Sequence, residues 1–206
     1  MTATSGTASP AQEIIGLYRR HAQAWTGLRG TALVERAWLD PFLELLPAGA
    51  RVLDIGCGSG VPIARHFIDR GCAVTGVDAA PEMLALFQQN LPGVPVHLAD
   101  MRLLALDRAF DGLIAWDSFF HLTAADQRLM FPVFRRHAAP GAALIFTSGP
   151  AHGEAIGQLE GEPLYHASLD GQEYRALLDA QGFEVVAQRN EDPDCGGRTV
   201  WLARLR

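Results

Sequence analysis

The chain has 206 residues, 49% of them hydrophobic and 19% charged, which suits one globular domain with a sizeable core. Its net charge is -6 and its 17 basic residues, all arginine, are scattered, which argues against a nucleic-acid partner. No apolar run approaches the length of a bilayer span, and Met1 to Pro10 lacks the basic cluster and apolar core of a secretory signal. Residues 1–10 read as a flexible tail and residues 11–206 as a single domain, expected in the cytoplasm.

The first helix is predicted from Ala11 to Trp25, where Ile14, Ile15, Tyr18 and Trp25 fall near one face. Gly27 and Gly30 punctuate. A second helix follows from Ala32 to Leu46, bent or broken before Pro41. Residues 11–46 thus form a helical cap ahead of the first strand. Arg51 to Ile55 is an apolar run bounded by a turn, the pattern of a buried parallel strand. Gly56, Gly58 and Gly60 come next, and Val61 to Arg70 then turns helical until Gly71. Strand, glycine turn and helix open a doubly wound α/β sheet. The glycines admit backbone angles closed to other residues and leave no Cβ between main chain and ligand. The third glycine comes one residue too early for the G-x-G-x-x-G of dinucleotide sites, so a pyrophosphate site is not spelled out. Cys57 fits the turn as a small residue. Cys57, Cys72 and Cys195 are odd in number and form no C-x-x-C, so neither a disulfide framework nor a zinc site is indicated. Ala73 to Val77 is the second strand. Asp78 stands at its end, about twenty residues past the turn, where a carboxylate accepts hydrogen bonds from a ribose diol. That position suits either of two ribose-bearing cofactors, NAD or S-adenosylmethionine. A helix cap before Pro81 is the alternative role.

The stretch Val52-Leu53-Asp54-Ile55-Gly56-Cys57-Gly58-Ser59-Gly60 resembles the first motif of the class I methyltransferases that use S-adenosylmethionine. The resemblance covers roughly residues 45–206. It implies a mostly parallel seven-stranded sheet with helices on both faces and an antiparallel C-terminal hairpin strand. It also implies that Asp54 and the backbone at Gly56, Gly58 and Gly60 hold the methionine portion of the cofactor and that Asp78 holds the ribose. In that family an N-terminal extension often covers the cofactor. Tyr18 and Trp25 are candidates for such a lid, or else pack on the sheet edge.

Pro81 to Gln89 is the next helix, Val94 to Leu98 the third strand. In the resembling family an acidic residue at this strand end bonds the adenine amino group, beside an apolar neighbour; Asp100 and Met101 match. A carboxylate accepts from an exocyclic amine, and a thioether packs on an aromatic face. Phe110 to Trp116 is the fourth strand and delivers Trp116-Asp117-Ser118-Phe119-Phe120-His121 to the carboxyl edge of the sheet, where ligands bind. An Asn/Asp-Pro-Pro-aromatic motif, frequent in methyltransferases acting on amines of bases, is absent, which points away from that substrate class. Trp116, Phe119 or Phe120 could face the sulfonium, a contact of about 0.5–2 kcal/mol; alternatively Phe119 and Phe120 fill the core. His121 is the candidate general base, since an imidazole titrates near neutrality; a structural histidine bonded to backbone is the alternative. Asp117 could orient an acceptor hydroxyl or the cofactor's amino group. No set of metal ligands is evident.

Thr123 and Asp126 pattern as a capping box for a helix carrying Leu129, Met130, Val133 and Phe134 inward, kinked at Pro132. Pro140-Gly141 turns into a fifth strand, Ala142 to Thr147. Residues 149–169 lose periodicity and read as a long substrate loop bearing His152, Glu154, Gln158, Tyr165 and His166. Ser168 to Ala180 is helical, with Asp170 and Glu173 as capping pair. Phe183 to Gln188 and Thr199 to Leu205 are the closing strands. The expected activity is methyl transfer from S-adenosylmethionine to a small-molecule acceptor by direct displacement, in a monomer or homodimer. The alternatives are a nicotinamide-dependent oxidoreductase, against which stand the glycine spacing and the lack of any lysine, and a non-catalytic S-adenosylmethionine-binding protein.

Overall fold

A computed structural model describes residues 9–206; the first eight residues of the expected tail lie outside the described residues. Ser9 and Pro10 are not tail. They cap and open helix α1, Pro10–Arg29, where proline's missing N–H loses no partner. Helix α2, Arg36–Glu44, is shorter than expected and runs through Pro41. The helix starts only five residues earlier, so the ring removes a single hydrogen bond.

The sheet elements are β1 (Arg51–Ile55), β2 (Ala73–Asp78), β3 (Val96–Leu98), β4 (Phe110–Ala115), β5 (Ala138–Ser148), β8 (Phe183–Asp192) and β9 (Arg198–Leu205). Their order is β3-β2-β1-β4-β5-β9-β8. Pairs from β3 through β5 are parallel, and β9 lies antiparallel to both neighbours. This is the expected seven-stranded arrangement. Both faces are covered. Leu53, Ile55, Leu113 and Phe146 point into one core, with Phe131 and Phe134 of α5 (Ala124–His137) and Tyr174 of α6 (Gly171–Ala180). Val52, Ile114 and Ile145 point the other way, toward Phe42 of α2, Phe67 of α3 (Ile63–Asp69) and Phe87 of α4 (Pro81–Asn90). Burial on both faces is why these strands read as continuous apolar runs. The chain leaves β1 toward β3 and returns to β4, so β1 and β4 flank the switch point outside which ligands bind.

The segment expected as an irregular loop is a two-stranded antiparallel hairpin, β6 (Gly153–Leu159) and β7 (Glu162–Ser168). Its turn residues, Glu160 and Gly161, both have positive φ, 50° and 81°, as a tight two-residue hairpin turn requires. Almost all of β6 is exposed. Without a buried face, its sequence had no reason to alternate. Leu159 and Leu164 of the hairpin pack on Leu17 of α1, with Tyr18 and Trp25 alongside. Glu162 ties the two elements together, accepting from Arg20 Nη2 at 2.6 Å and pairing with His21 Nε2 at 2.6 Å.

Candidate functional site

The turn after β1 is pinned by Gly56 and Cys57, whose N–H groups both donate to the Val77 carbonyl, at 2.7 and 3.0 Å. Gly56 has φ 78°, and a Cβ there would lie 2.3 Å from Ser118 Cβ, so no other residue fits. A Cβ on Gly60 would meet the Phe87 ring at 2.6 Å, which makes that glycine a packing requirement between turn and α4. Gly58 faces open space instead. Its N–H donates to Asp78 Oδ2 at 2.9 Å, while Asp78 Oδ1 accepts from Ala80 N at 2.9 Å at the start of α4. Asp78 thus braces the two turns against each other and lines a cavity at once, and burial raises its pKa.

Three cavities meet at this edge. The first, about 320 Å³, is lined by Gly56, Gly58, Asp78, Asp100 and Met101 and roofed by α1 residues including Tyr18. A second, of about 60 Å³, lies beside the glycine turn against Asp54, Arg29 and Trp116. The third, about 600 Å³, spreads between Phe120, His121, Asp117 and the hairpin, with His152, Glu154 and His166 on its walls. Asp117 lines all three, and Trp25 does too.

Every residue of the sequence-based site except Gly60 and Asp54 borders the first or third cavity or, for Trp116, the second; Gly60 and Asp54 border the second. Asp54 is 4% exposed, and burial, with the nearby Asp78 charge, pushes its pKa up to about 7. Asp100 is gripped by Arg102, with Nη2–Oδ2 at 2.5 Å and the Arg102 N–H on Oδ1 at 3.0 Å. Burial works against its charge, but the Arg102 contacts outweigh that and hold its pKa below the usual carboxylate value. Phe119 is wholly buried against Phe131 and Phe146, a core residue, whereas Phe120 reaches the third cavity. Trp116 is 5% exposed, and its indole N–H has no partner.

His121 Nδ1 lies 2.7 Å from the Tyr165 carbonyl and Nε2 lies 2.8 Å from Tyr18 Oη. A carbonyl only accepts, so Nδ1 carries the proton and Nε2 accepts from the tyrosine hydroxyl. Burial pushes the ring's pKa down to about 3, with His166 also lowering it and the Tyr165 carbonyl opposing. At neutral pH the imidazole is therefore uncharged and its lone pair engaged. Burial also raises the Tyr18 hydroxyl.

Asp117 has φ 49°, a conformation a few residue types tolerate and one common at functional sites. Its N–H donates to Thr147 Oγ1 at 2.9 Å, and its carboxylate takes a fork from Arg198, Nε at 2.8 and 2.9 Å and Nη2 at 2.6 Å. Sequence reasoning missed Arg29, Arg102 and Arg198. Arg198 is 81 residues from its partner, and nothing local in the sequence marks it.

Comparison with known proteins agrees with this geometry. Residues 52–141 match the sequence profile of a methyltransferase domain. The chain is 28% identical over 191 residues to a dTDP-4-amino-2,3,4,6-tetradeoxy-D-glucose N,N-dimethyltransferase of Saccharopolyspora spinosa, covering 76% of this chain and 75% of that one. It is 30% identical over 101 residues to a dTDP-3-amino-3,6-dideoxy-alpha-D-glucopyranose N,N-dimethyltransferase of Streptomyces fradiae, covering 48% of this chain but only 39% of that protein. The S-adenosylmethionine-bound structure of an amino pentose methyltransferase from Micromonospora echinaspora superposes with a TM-score of 0.70 at 25% identity, covering 86% of this chain and 93% of that one. A magnesium protoporphyrin IX methyltransferase from Synechocystis shares the fold, with a TM-score of 0.73 at 17% identity over 98% of this chain and all (100%) of that one. Asp78 alone leaves two nucleosides open; the amino pentose methyltransferase that superposes at 25% identity holds S-adenosylmethionine. In sequence profile over residues 52–141 and in fold, the chain is similar to the class I S-adenosylmethionine-dependent methyltransferases.

Proposed function

We propose that this chain methylates a small-molecule acceptor held in the cavity of about 600 Å³ between Phe120, Asp117 and the β6–β7 hairpin. The observation that carries this is Asp117, which borders both nucleoside-sized and acceptor-sized spaces and so marks where the two reactants meet. Bound S-adenosylmethionine supplies an activated methyl group on sulfur. The protein's task is then to align two reactants and keep water out. Asp78 accepts from the ribose hydroxyls, and Asp100 with Met101 receives the adenine. Asp54 and the glycine turn hold the methionine end. Trp25 and Tyr18 of α1 close the top. His121 works through Tyr18: its Nδ1 proton is held on the Tyr165 carbonyl, which fixes the ring so that Nε2 receives the tyrosine hydroxyl. Asp117, charge-balanced by Arg198, orients the acceptor.

The amino-sugar and porphyrin names of the relatives support an acceptor of small-molecule size. No helix among the described residues is long and apolar enough to cross a membrane. Three unpaired thiols agree with a reducing compartment, and a cytoplasmic monomer or homodimer is part of the proposal.

Calorimetry with S-adenosylhomocysteine and with NAD, followed by a radiolabelled-methyl assay against small-molecule pools, tests this. Saturable binding of the former alone and label transferred to a small molecule are expected. Binding without label transfer makes the chain a cofactor-binding protein without turnover. No binding by the folded protein refutes the proposal.

A further inference from the structure

His166 stands on β7 opposite Ala155 of β6 and borders the cavity of about 600 Å³, the acceptor space proposed above. It is half-buried, with its ring 4.8 Å from that of His121 and 5.1 Å from that of Phe120. A glycine across the hairpin makes room for it. A Cβ on Gly157 would lie 3.4 Å from His166 Cε1, 3.7 Å from the Leu164 carbonyl oxygen and 3.8 Å from His166 Nδ1. The Nδ1 edge of the ring therefore lies along the hairpin backbone beside that carbonyl. A carbonyl only accepts, which favours the proton on Nδ1 and leaves the lone pair on Nε2. Among the described residues no other side chain bonds this ring, and Nε2 is not one of the buried atoms left without a partner. It is thus open to the space that His166 borders.

The other ionisable groups around that cavity are committed or lie at its rim. His121 has both nitrogens engaged, by the Tyr165 carbonyl and the Tyr18 hydroxyl. The Asp117 carboxylate takes the Arg198 fork, and Glu154 accepts from the Tyr165 hydroxyl at 2.7 Å. His152 and Glu191 are exposed. His166 combines a free lone pair with partial shelter from water. Burial lowers its pKa below the ordinary imidazole value, with the Leu164 carbonyl and the Asp117 carboxylate opposing, so the ring is uncharged at neutral pH. Asp117 nonetheless favours the imidazolium once a proton arrives, and Asp117 is where this cavity meets the nucleoside-sized one.

We propose that His166 is the catalytic base of this site, and that the acceptor is a small molecule whose attacking oxygen or nitrogen carries a proton. The inference rests on the methyl-transfer reading above. The acceptor atom forms its bond to the methyl carbon as the carbon–sulfur bond breaks, with that bond's electron pair left on sulfur as a neutral thioether. The acceptor's proton passes to His166 Nε2. The imidazolium so formed, balanced by Asp117, then releases the proton to solvent, from which the ring is only partly shielded.

The test uses the full chain, S-adenosylmethionine labelled in its methyl group, and the small-molecule pools of the labelling assay above. His166→Gln and His166→Ala should each lower kcat about 100-fold or more, the usual worth of a positioned base. Neither should change S-adenosylhomocysteine affinity by more than about twofold in calorimetry, since His166 does not line the first cavity. Added imidazole should restore His166→Ala about tenfold or more and leave the parent protein unchanged, and the restoration should fade as imidazole becomes protonated. In the parent, kcat should fall as pH drops through a value below that of an ordinary imidazole, and this limb should be absent in His166→Gln. Circular dichroism checks each fold; glutamine, nearer in size to the imidazole, carries the comparison should the alanine variant not fold. The role is overturned if a folded variant keeps kcat within about threefold of the parent, if only KM rises, or if imidazole restores nothing to folded His166→Ala. Should the parent protein bind S-adenosylhomocysteine yet label no pool, the methyl-transfer reading itself falls and takes the base with it. A labelled pool that both folded variants serve as well as the parent overturns the base and leaves that reading standing.

Discussion

Replacing Asp54 by asparagine should make the protein's stability much less sensitive to pH. The ordinary value of this carboxyl is 3.8, and burial, then the Asp78 charge, holds it near 7 in the folded chain. Between those values the native state keeps a proton that the unfolded chain has released. Stability therefore falls as pH rises from about 4 to about 7 and levels off above. Between about pH 5 and pH 7 the loss is about 2 kcal/mol, short of the full 1.4 kcal/mol per unit because the native carboxyl is half titrated at the upper end. For a chain of this size that corresponds to roughly 4–8 °C in Tm. Asparagine keeps the shape and removes the ionisation, so the variant should gain on the parent protein as pH rises. Asp78, also raised by burial, retains part of the slope. Scanning calorimetry of both proteins from about pH 5 to pH 8 reads the difference directly. Parallel curves for the two proteins would refute the reasoning. The same variant should bind S-adenosylhomocysteine more weakly at pH 8, because the neutral amide no longer attracts an ammonium group.

Other outcomes follow from the same geometry. The His121 ring, pushed down to about 3 by burial, should stay neutral from pH 5 to 8, so its nitrogen-15 shifts should not move and the kcat/KM profile should show no inflection from it; a ring titrating near 6.5 is the contrary result. Gly56→Ala, combining positive φ with a 2.3 Å approach to Ser118 Cβ, should cost about 2–5 kcal/mol by urea denaturation. Gly58→Ala meets no neighbouring atom; it should cost about 1 kcal/mol or a little more and act mainly by weakening cofactor binding. Arg198→Met leaves the Asp117 carboxylate, 12% exposed, without its counter-charge and should cost about 2 kcal/mol or more; adding Asp117→Asn should recover about 1 kcal/mol of this in a double-mutant cycle, and strict additivity would count against the pair.

The sheet was legible in the sequence because its central strands are buried on both faces and its turns carry glycines forced by close contact, as at Gly56 and Gly60. Asp78 and Asp100 were legible because they sit at strand ends, Asp78 as the last residue of β2 and Asp100 two residues past β3. Element edges were less so: β8 runs to Asp192 and β9 starts at Arg198, past the apolar stretches that marked them. The hairpin was illegible for a specific reason. Its outer strand is exposed and has glycine at Gly153 and Gly157, so neither periodicity nor propensity announced it. His121 was found by residue type, but its burial and tautomer depend on Tyr18 and on the Tyr165 carbonyl, 103 and 44 residues away. Arg198 was hidden for the same reason, its partner Asp117 lying 81 residues away. Arg102 and Arg29 pair with Asp100 and Glu35, near in sequence, but nothing in residue type or spacing placed them at the site.

Glu162 sits at the tip of the hairpin and is locked to Arg20 and His21 at the point where α1 departs from helical geometry, His21 having φ -117° and ψ 21°. The roof of the first cavity and a wall of the third are thereby joined. On the function proposed above, an engineer who exchanges the hairpin to recruit a new substrate also alters the cavity proposed for the methyl source. A transplant would need Arg20, His21 and the flank of α1 to travel along with Glu162.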